Sequence, residues 1–191
     1  MGTRNELAAT EGKIFRAYWQ DGVLDLLAGV SVLLIGVGWV AGFTLATVVV
    51  PPVALVTWPI LRHRITDPRL GRVRFNARRR FEMRHGVIAV ASLAVVLFMT
   101  DTPPAFPRWL VPGIPGLILA ALALSAAAAL RLVRFVAYAA VFMTAALIVC
   151  VLDGEPGWAI VAGGAAAAAN GARMLASFFR DFPVLATEMD E

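Results

Sequence analysis

Residues 62–85, RHRITDPRLGRVRFNARRRFEMRH, hold nine of the chain's seventeen basic residues against two acidic ones, Asp67 and Glu82. The nine are Arg62, Arg64, Arg69, Arg72, Arg74, Arg78, Arg79, Arg80 and Arg84, and apolar runs lie on both sides of them. A short, arginine-rich loop between two apolar runs stays on the cytoplasmic side when a chain inserts into a membrane. The stretch therefore orients everything around it.

Composition agrees. Of 191 residues, 60% are hydrophobic and 16% charged, and the mean hydropathy is +0.77. That is too apolar for an ordinary soluble domain and leaves several runs long enough to cross a bilayer. The net charge of +4 does not point to nucleic acid, because sixteen of the seventeen basic residues are Arg and most flank apolar runs. The arginine and alanine usage points to a bacterial source, hence to the cytoplasmic (inner) membrane. A single cysteine, Cys150, excludes an intramolecular disulfide and a cysteine-based metal cluster, and its apolar setting marks a small buried side chain.

Working outward predicts an all-α membrane protein. Residues 1–21 form a cytoplasmic segment in which Ile14, Phe15, Tyr18 and Trp19 share one helical face, the pattern of an interfacial helix. Residues 22–61 are a first helical hairpin. Its first span carries Gly22, Gly29 and Gly36 at intervals of seven and a Gly38/Gly42 GxxxG pair, which suits close helix packing within the monomer, with a dimer contact as the competing reading. Its second span, Thr44 to Leu61, is interrupted by Pro51, Pro52 and Pro59, so a kink is expected. The basic loop 62–85 divides into an extended, Pro-turned cap from Ile65 to Phe75, with a turn at Asp67-Pro68 and alternating Val73 and Phe75, and a helical foot from Asn76 to His85. Residues 86–178 supply four further spans: Gly86 to Thr100, Gly113 to Leu132, Phe135 to Leu152 and Trp158 to Phe178. Residues 179–191 form a cytoplasmic tail.

The predicted architecture is a six-span helical bundle with both termini cytoplasmic. In that topology the external segments carry Arg108 against Asp101, Asp153 and Glu155, a net charge of −2, and the remaining sixteen basic and ten acidic residues give the other side +6. Each loop obeys the positive-inside rule.

Charged residues inside spans are the first candidates for a site, because lipid solvates them poorly. Asp25 lies one turn into the first span, and Arg173 lies near the inner end of the last, one turn beyond Asn170. An Asp25–Arg173 pair with Asn170 as supporting donor would lock the first span to the last. His63 and His85 lack a second ligand at metal spacing, and no nucleophile triad, phosphate loop or dinucleotide fingerprint is present. No catalytic residue, metal or cofactor is expected, and the chain reads as non-enzymatic.

Three pieces resemble a group of small prokaryotic multi-span proteins of unknown function. They are Tyr18-Trp19-Gln20-Asp21-Gly22, Ile65-Thr66-Asp67-Pro68-Arg69-Leu70-Gly71-Arg72-Val73-Arg74-Phe75 and Phe178-Phe179-Arg180-Asp181-Phe182-Pro183, about 22 residues at the cytoplasmic ends of spans. The resemblance implies an ordered cytoplasmic face and carries no activity.

The functional expectation is a scaffold or accessory protein that binds anionic phospholipid, or an acidic protein partner, through the nine loop arginines. Each basic residue near an anionic leaflet contributes about 1 kcal/mol. The alternative expectation is a small transporter or channel subunit.

Overall fold

The computed structural model of the protein describes residues 21–43, 45–70, 107–130 and 132–183. All regular structure among them is helical. The elements are α1 (Val23–Val40), α2 (Leu45–Ile65), a single turn α3 (Asp67–Leu70), a 3-10 helix (Arg108–Gly113) that leads into α4 (Ile114–Leu130), α5 (Arg134–Val151) and α6 (Gly157–Asp181). The expected interfacial helix, the loop from Gly71 to His85 with its helical foot, the Gly86 to Thr100 span and the end of the tail lie outside the described residues, as do Arg72, Arg74, Arg78, Arg79, Arg80 and Arg84.

Four segments are long and apolar enough to cross a membrane: Val23–Val40, Leu45–Ile65, Arg108–Ala128 and Arg134–Val151. The last expected span coincides with α6, which is the longest helix at 25 residues but is not among those four. Its composition explains this, since alanine and glycine dominate and Asn170, Arg173 and Arg180 interrupt them. α6 is built to sit against other helices. It packs on α1, α5 and α4.

The α1–α6 contact is the spine of the molecule. The two helices run antiparallel, and each carries a glycine every seven residues on the shared face: Gly22, Gly29 and Gly36 on one, Gly157, Gly164 and Gly171 on the other. A Cβ on Gly36 would come within 2.7 Å of the Val161 backbone nitrogen, and one on Gly157 within 2.9 Å of the Gly36 carbonyl. A Cβ on Gly29 would overlap the Ala168 backbone, and one on Gly171 the Leu26 backbone. A repeat of seven keeps a seam in register along two helices, and small residues let the backbones meet where lipid gives apolar side chains no reason to associate.

Gly42 is different from these. It has φ +71° and nothing lies within 4 Å of where its Cβ would be, so it does not act in a GxxxG contact. It ends α1 instead: the Gly42 N–H donates to Trp39 O at 3.0 Å and the Phe43 N–H to Gly38 O at 2.6 Å. This is a left-handed cap of Schellman type. Asp153, with φ +46°, ends α5 in the same way, and the Gly154 N–H donates to Val149 O at 2.9 Å.

α5 and α4 close the other side of α6. Phe142 lies flat on Gly163, where a Cβ would overlap its ring, and Ala120, Ala123, Ala139 and Ala167 fill the layer around it. Cys150 is buried, and its thiol points at Leu110 O, 3.7 Å away.

α2 is peripheral. It packs against α1, where the Trp39 indole N–H donates to Thr47 Oγ1 at 2.7 Å, and none of its residues is buried. Pro51, Pro52 and Pro59 all lie inside this one continuous helix. Each proline removes one backbone donor, and the helix runs on through all three. Beyond α2, the turn expected at Asp67-Pro68 is a single helical turn over residues 67–70, and Val73 and Phe75, whose alternation suggests extended backbone, lie outside the described residues. Pro68 fits that turn because the first turn of a helix needs no donor from it.

A buried Asp25 cluster under a basic cap

Asp25 is 2% exposed, in the first turn of α1. Gly171 lets α6 approach so closely that it touches the Asp25 and Leu26 backbone, which closes one side of the carboxylate's surroundings. The first turn of α5 closes another. From it, Arg134 Nη2 reaches Asp25 Oδ2 at 2.8 Å, and the Tyr138 hydroxyl donates to Asp25 Oδ1 at 2.8 Å. Arg134 and Tyr138 are one turn apart and so share a helix face. The Tyr138 oxygen in turn accepts from Asn170 Nδ2 at 2.6 Å. Three helices therefore meet through one carboxylate, one guanidinium, one phenol and one amide.

The electrostatics are those of a buried ion pair. The Arg134 side chain is 13% exposed and the Asp25 side chain not at all. Removing both charges from water is costly, and the pair is tolerable because Tyr138 supplies the second carboxylate oxygen with a donor. Phe135 packs edge-on against Tyr138, with ring centroids 5.6 Å apart, and fixes the phenol in place.

The expected cation, Arg173, does not make this pair. Gly171 faces α1, and two residues further on the helix has turned by about 200°, so Arg173 points to the opposite side and is exposed. Asn170 reaches Asp25 only through Tyr138. Asp21, four residues before Asp25, has a separate role. Asp21 precedes the helix, accepts the Val23 N–H at 3.1 Å through Oδ1, and accepts the Thr66 hydroxyl at 2.7 Å through Oδ2.

That last bond organises a second layer. Asp21 and Thr66 are both buried, 45 residues apart in sequence, and they tie the start of α1 to the end of α2. From the adjoining turn, the Arg69 guanidinium lies 4.6 Å from the centroid of the Phe179 ring on α6 and donates to Ile65 O at 2.9 Å. The pieces containing Asp21, Thr66 and Phe179 thus converge on one end of the bundle. Of the predicted loop arginines, Arg62 stacks on Trp58 at 5.9 Å, Arg64 is exposed, and Arg69 is part of this cap. Among the described residues, Arg62, Arg64, Arg69, Arg134, Arg173 and Arg180 belong to the half of the bundle nearer this end, and Arg108 lies at the other with Asp153 and Glu155.

Beside the cap, the end of α6 lines an open groove of about 450 Å³, with Asn170, Arg173, Ser177 and Asp181 as its polar lining and Met174, Phe178 and Phe182 as its apolar lining.

Comparisons of the chain with protein-family models, with curated proteins and with solved structures find no match.

Arg134 and Tyr138 are the site residues that sequence reading overlooks. Arg134 sits in a short basic turn and reads as an orienting charge, and Tyr138 is one aromatic among many in an apolar run. Their spacing of four, with both polar groups on one face of an otherwise apolar helix, is the signal that singles them out.

Proposed function

We propose that the chain is a multi-pass protein of the bacterial cytoplasmic membrane, with six spans and both termini cytoplasmic, and that it is a non-enzymatic scaffold or accessory protein that holds anionic phospholipid at its basic end. The observation that carries this reading is the cap. The Asp21–Thr66 bond and the Arg69–Phe179 stacking anchor the start of the arginine-rich loop to the bundle. Guanidinium groups held at the depth of the headgroups gain about 1 kcal/mol each from an anionic leaflet. A transport path would call for polar groups deeper in the bundle, whereas the Asp25 cluster gathers in the half nearer the basic end, which favours an anchoring role.

Topology is tested with single cysteines in a Cys150→Ala background. A membrane-impermeant maleimide added to intact cells is expected to label Pro104→Cys and not Gly71→Cys, with both labelled after lysis. The reverse pattern overturns the orientation.

Lipid binding is tested by purifying the protein with its native lipids. Changing Arg72, Arg74, Arg78, Arg79 and Arg80 to Gln removes five positive charges, so the copurified phosphatidylglycerol and cardiolipin are expected to fall several-fold relative to phosphatidylethanolamine. Identical lipid and protein profiles for wild type and variant would remove the proposal.

A further inference from the structure

The groove on α6 carries groups that a general attraction to an anionic leaflet does not need. Ser177 lies between Arg173, one turn before it, and Arg180, three residues after it, and Arg180 Nη2 donates to Ser177 Oγ at 3.3 Å. That bond occupies an acceptor site of the hydroxyl, so its proton is free to be donated outward. Arg173 and Ser177 line the groove and Arg180 reaches the Ser177 hydroxyl from beside it; guanidinium and hydroxyl donors suit the oxygens of a phosphodiester, for which charge-assisted bonds from arginine are strong. Asp181 lies one turn further along, about 6 Å from Ser177 in axial rise. A carboxylate there repels a bare phosphate, yet it accepts hydrogen bonds from hydroxyl groups. Met174 and Phe178 give the lining an apolar part, and the volume of about 450 Å³ falls within the range of roughly 300–1,000 Å³ typical of small-ligand sites.

We infer that this groove binds the headgroup of a polyol phosphodiester lipid, of which phosphatidylglycerol is the simplest example: the phosphate at Ser177 between Arg173 and Arg180, the headgroup hydroxyls on Asp181, and the glyceride end against Met174 and Phe178. The inference rests on the anionic-lipid reading above and adds to it a defined site and a preference. The loop arginines supply general attraction, and the groove selects.

The test uses the full-length protein in a neutral detergent, titrated with short-chain phosphatidylglycerol, phosphatidic acid and phosphatidylcholine, and separately with inorganic phosphate. Wild type is expected to bind phosphatidylglycerol at least tenfold more tightly than phosphatidylcholine and more tightly than phosphatidic acid, and to bind inorganic phosphate weakly. Arg173→Gln is expected to weaken phosphatidylglycerol binding about tenfold, and Arg173→Lys to restore part of it. Asp181→Asn is expected to abolish the preference over phosphatidic acid while phosphate affinity holds or rises. Unchanged melting temperatures for these exposed positions separate binding from folding. If Arg173→Gln binds like wild type while the five-arginine loop variant loses binding, the groove is overturned and the lipid reading stands. Equal affinity for phosphatidylglycerol and phosphatidylcholine in wild type overturns both. Binding of inorganic phosphate as tight as that of the lipid overturns the polyol headgroup.

Discussion

Asp25→Ala is expected to lower the stability of the detergent-solubilised protein by about 3–5 kcal/mol, the usual cost of leaving one member of a buried ion pair without its partner. The orphan is Arg134, whose side chain is 13% exposed and reaches Asp25 at 2.8 Å. Tyr138 loses its acceptor in the same step, and the Asn170 to Tyr138 bond then ends in a hydroxyl with no oxygen to receive its proton. The variant is expected to show a lower melting temperature and a reduced yield from membranes. Arg134→Met alone should cost a similar amount, because it strands the carboxylate. The double variant Asp25→Leu with Arg134→Met should recover most of the loss, since two apolar groups of similar volume replace two buried charges and neither is left unpaired. Two additive losses in the double variant would show that the charges act independently. Exchange of the charges, Asp25→Arg with Arg134→Asp, is a harsher test, because the long side chain would then start from the helix that Gly171 holds in contact.

Substitution of the glycine seam is expected to have the next largest effect. Gly29→Leu or Gly171→Leu should prevent the α1–α6 contact, because even a single Cβ at either position overlaps the backbone of the facing helix. Backbone atoms cannot rotate away as a side chain can, so the helices must separate along the seam. The cost is expected at or above the upper end of the usual 1–3 kcal/mol for overpacking. Alanine at the same positions should cost about 1–3 kcal/mol. Gly42→Ala is the control. Its Cβ would meet nothing, so it should cost only the roughly 1–2 kcal/mol of a left-handed backbone in a residue with a side chain. Thermal unfolding of the five variants checks the order. A Gly42→Ala loss equal to that of Gly29→Leu would refute close packing as the role of the seam.

Several features were legible in the order of residues. The interval of seven between Gly22, Gly29 and Gly36 marks a contact face, and all three glycines lie on it. The matching repeat at Gly157, Gly164 and Gly171 is equally visible once the first is taken as half of a pair. The positions of α1, α4 and α5 follow from the apolar runs to within a residue or two, and Asp25 stands out as a charge inside such a run. α2 runs as one helix through its three prolines, and the turn signalled by Asp67-Pro68 is a helical one. A proline marks a missing donor locally, whereas how the helix continues beyond it depends on its neighbours.

By itself, the sequence determined that the chain is built of apolar helices with the positive charge gathered at one end, because hydropathy and arginine placement act locally and need no partner. Only the tertiary structure decided which cation meets Asp25. Arg134 and Arg173 are equally plausible by depth along their helices, and the choice rests on rotation: Gly171 turns one face of α6 onto α1 and carries Arg173 away, while the first turn of α5 brings Arg134 and Tyr138 in together. Rotation about a helix axis is fixed by packing, and packing is a property of the pair.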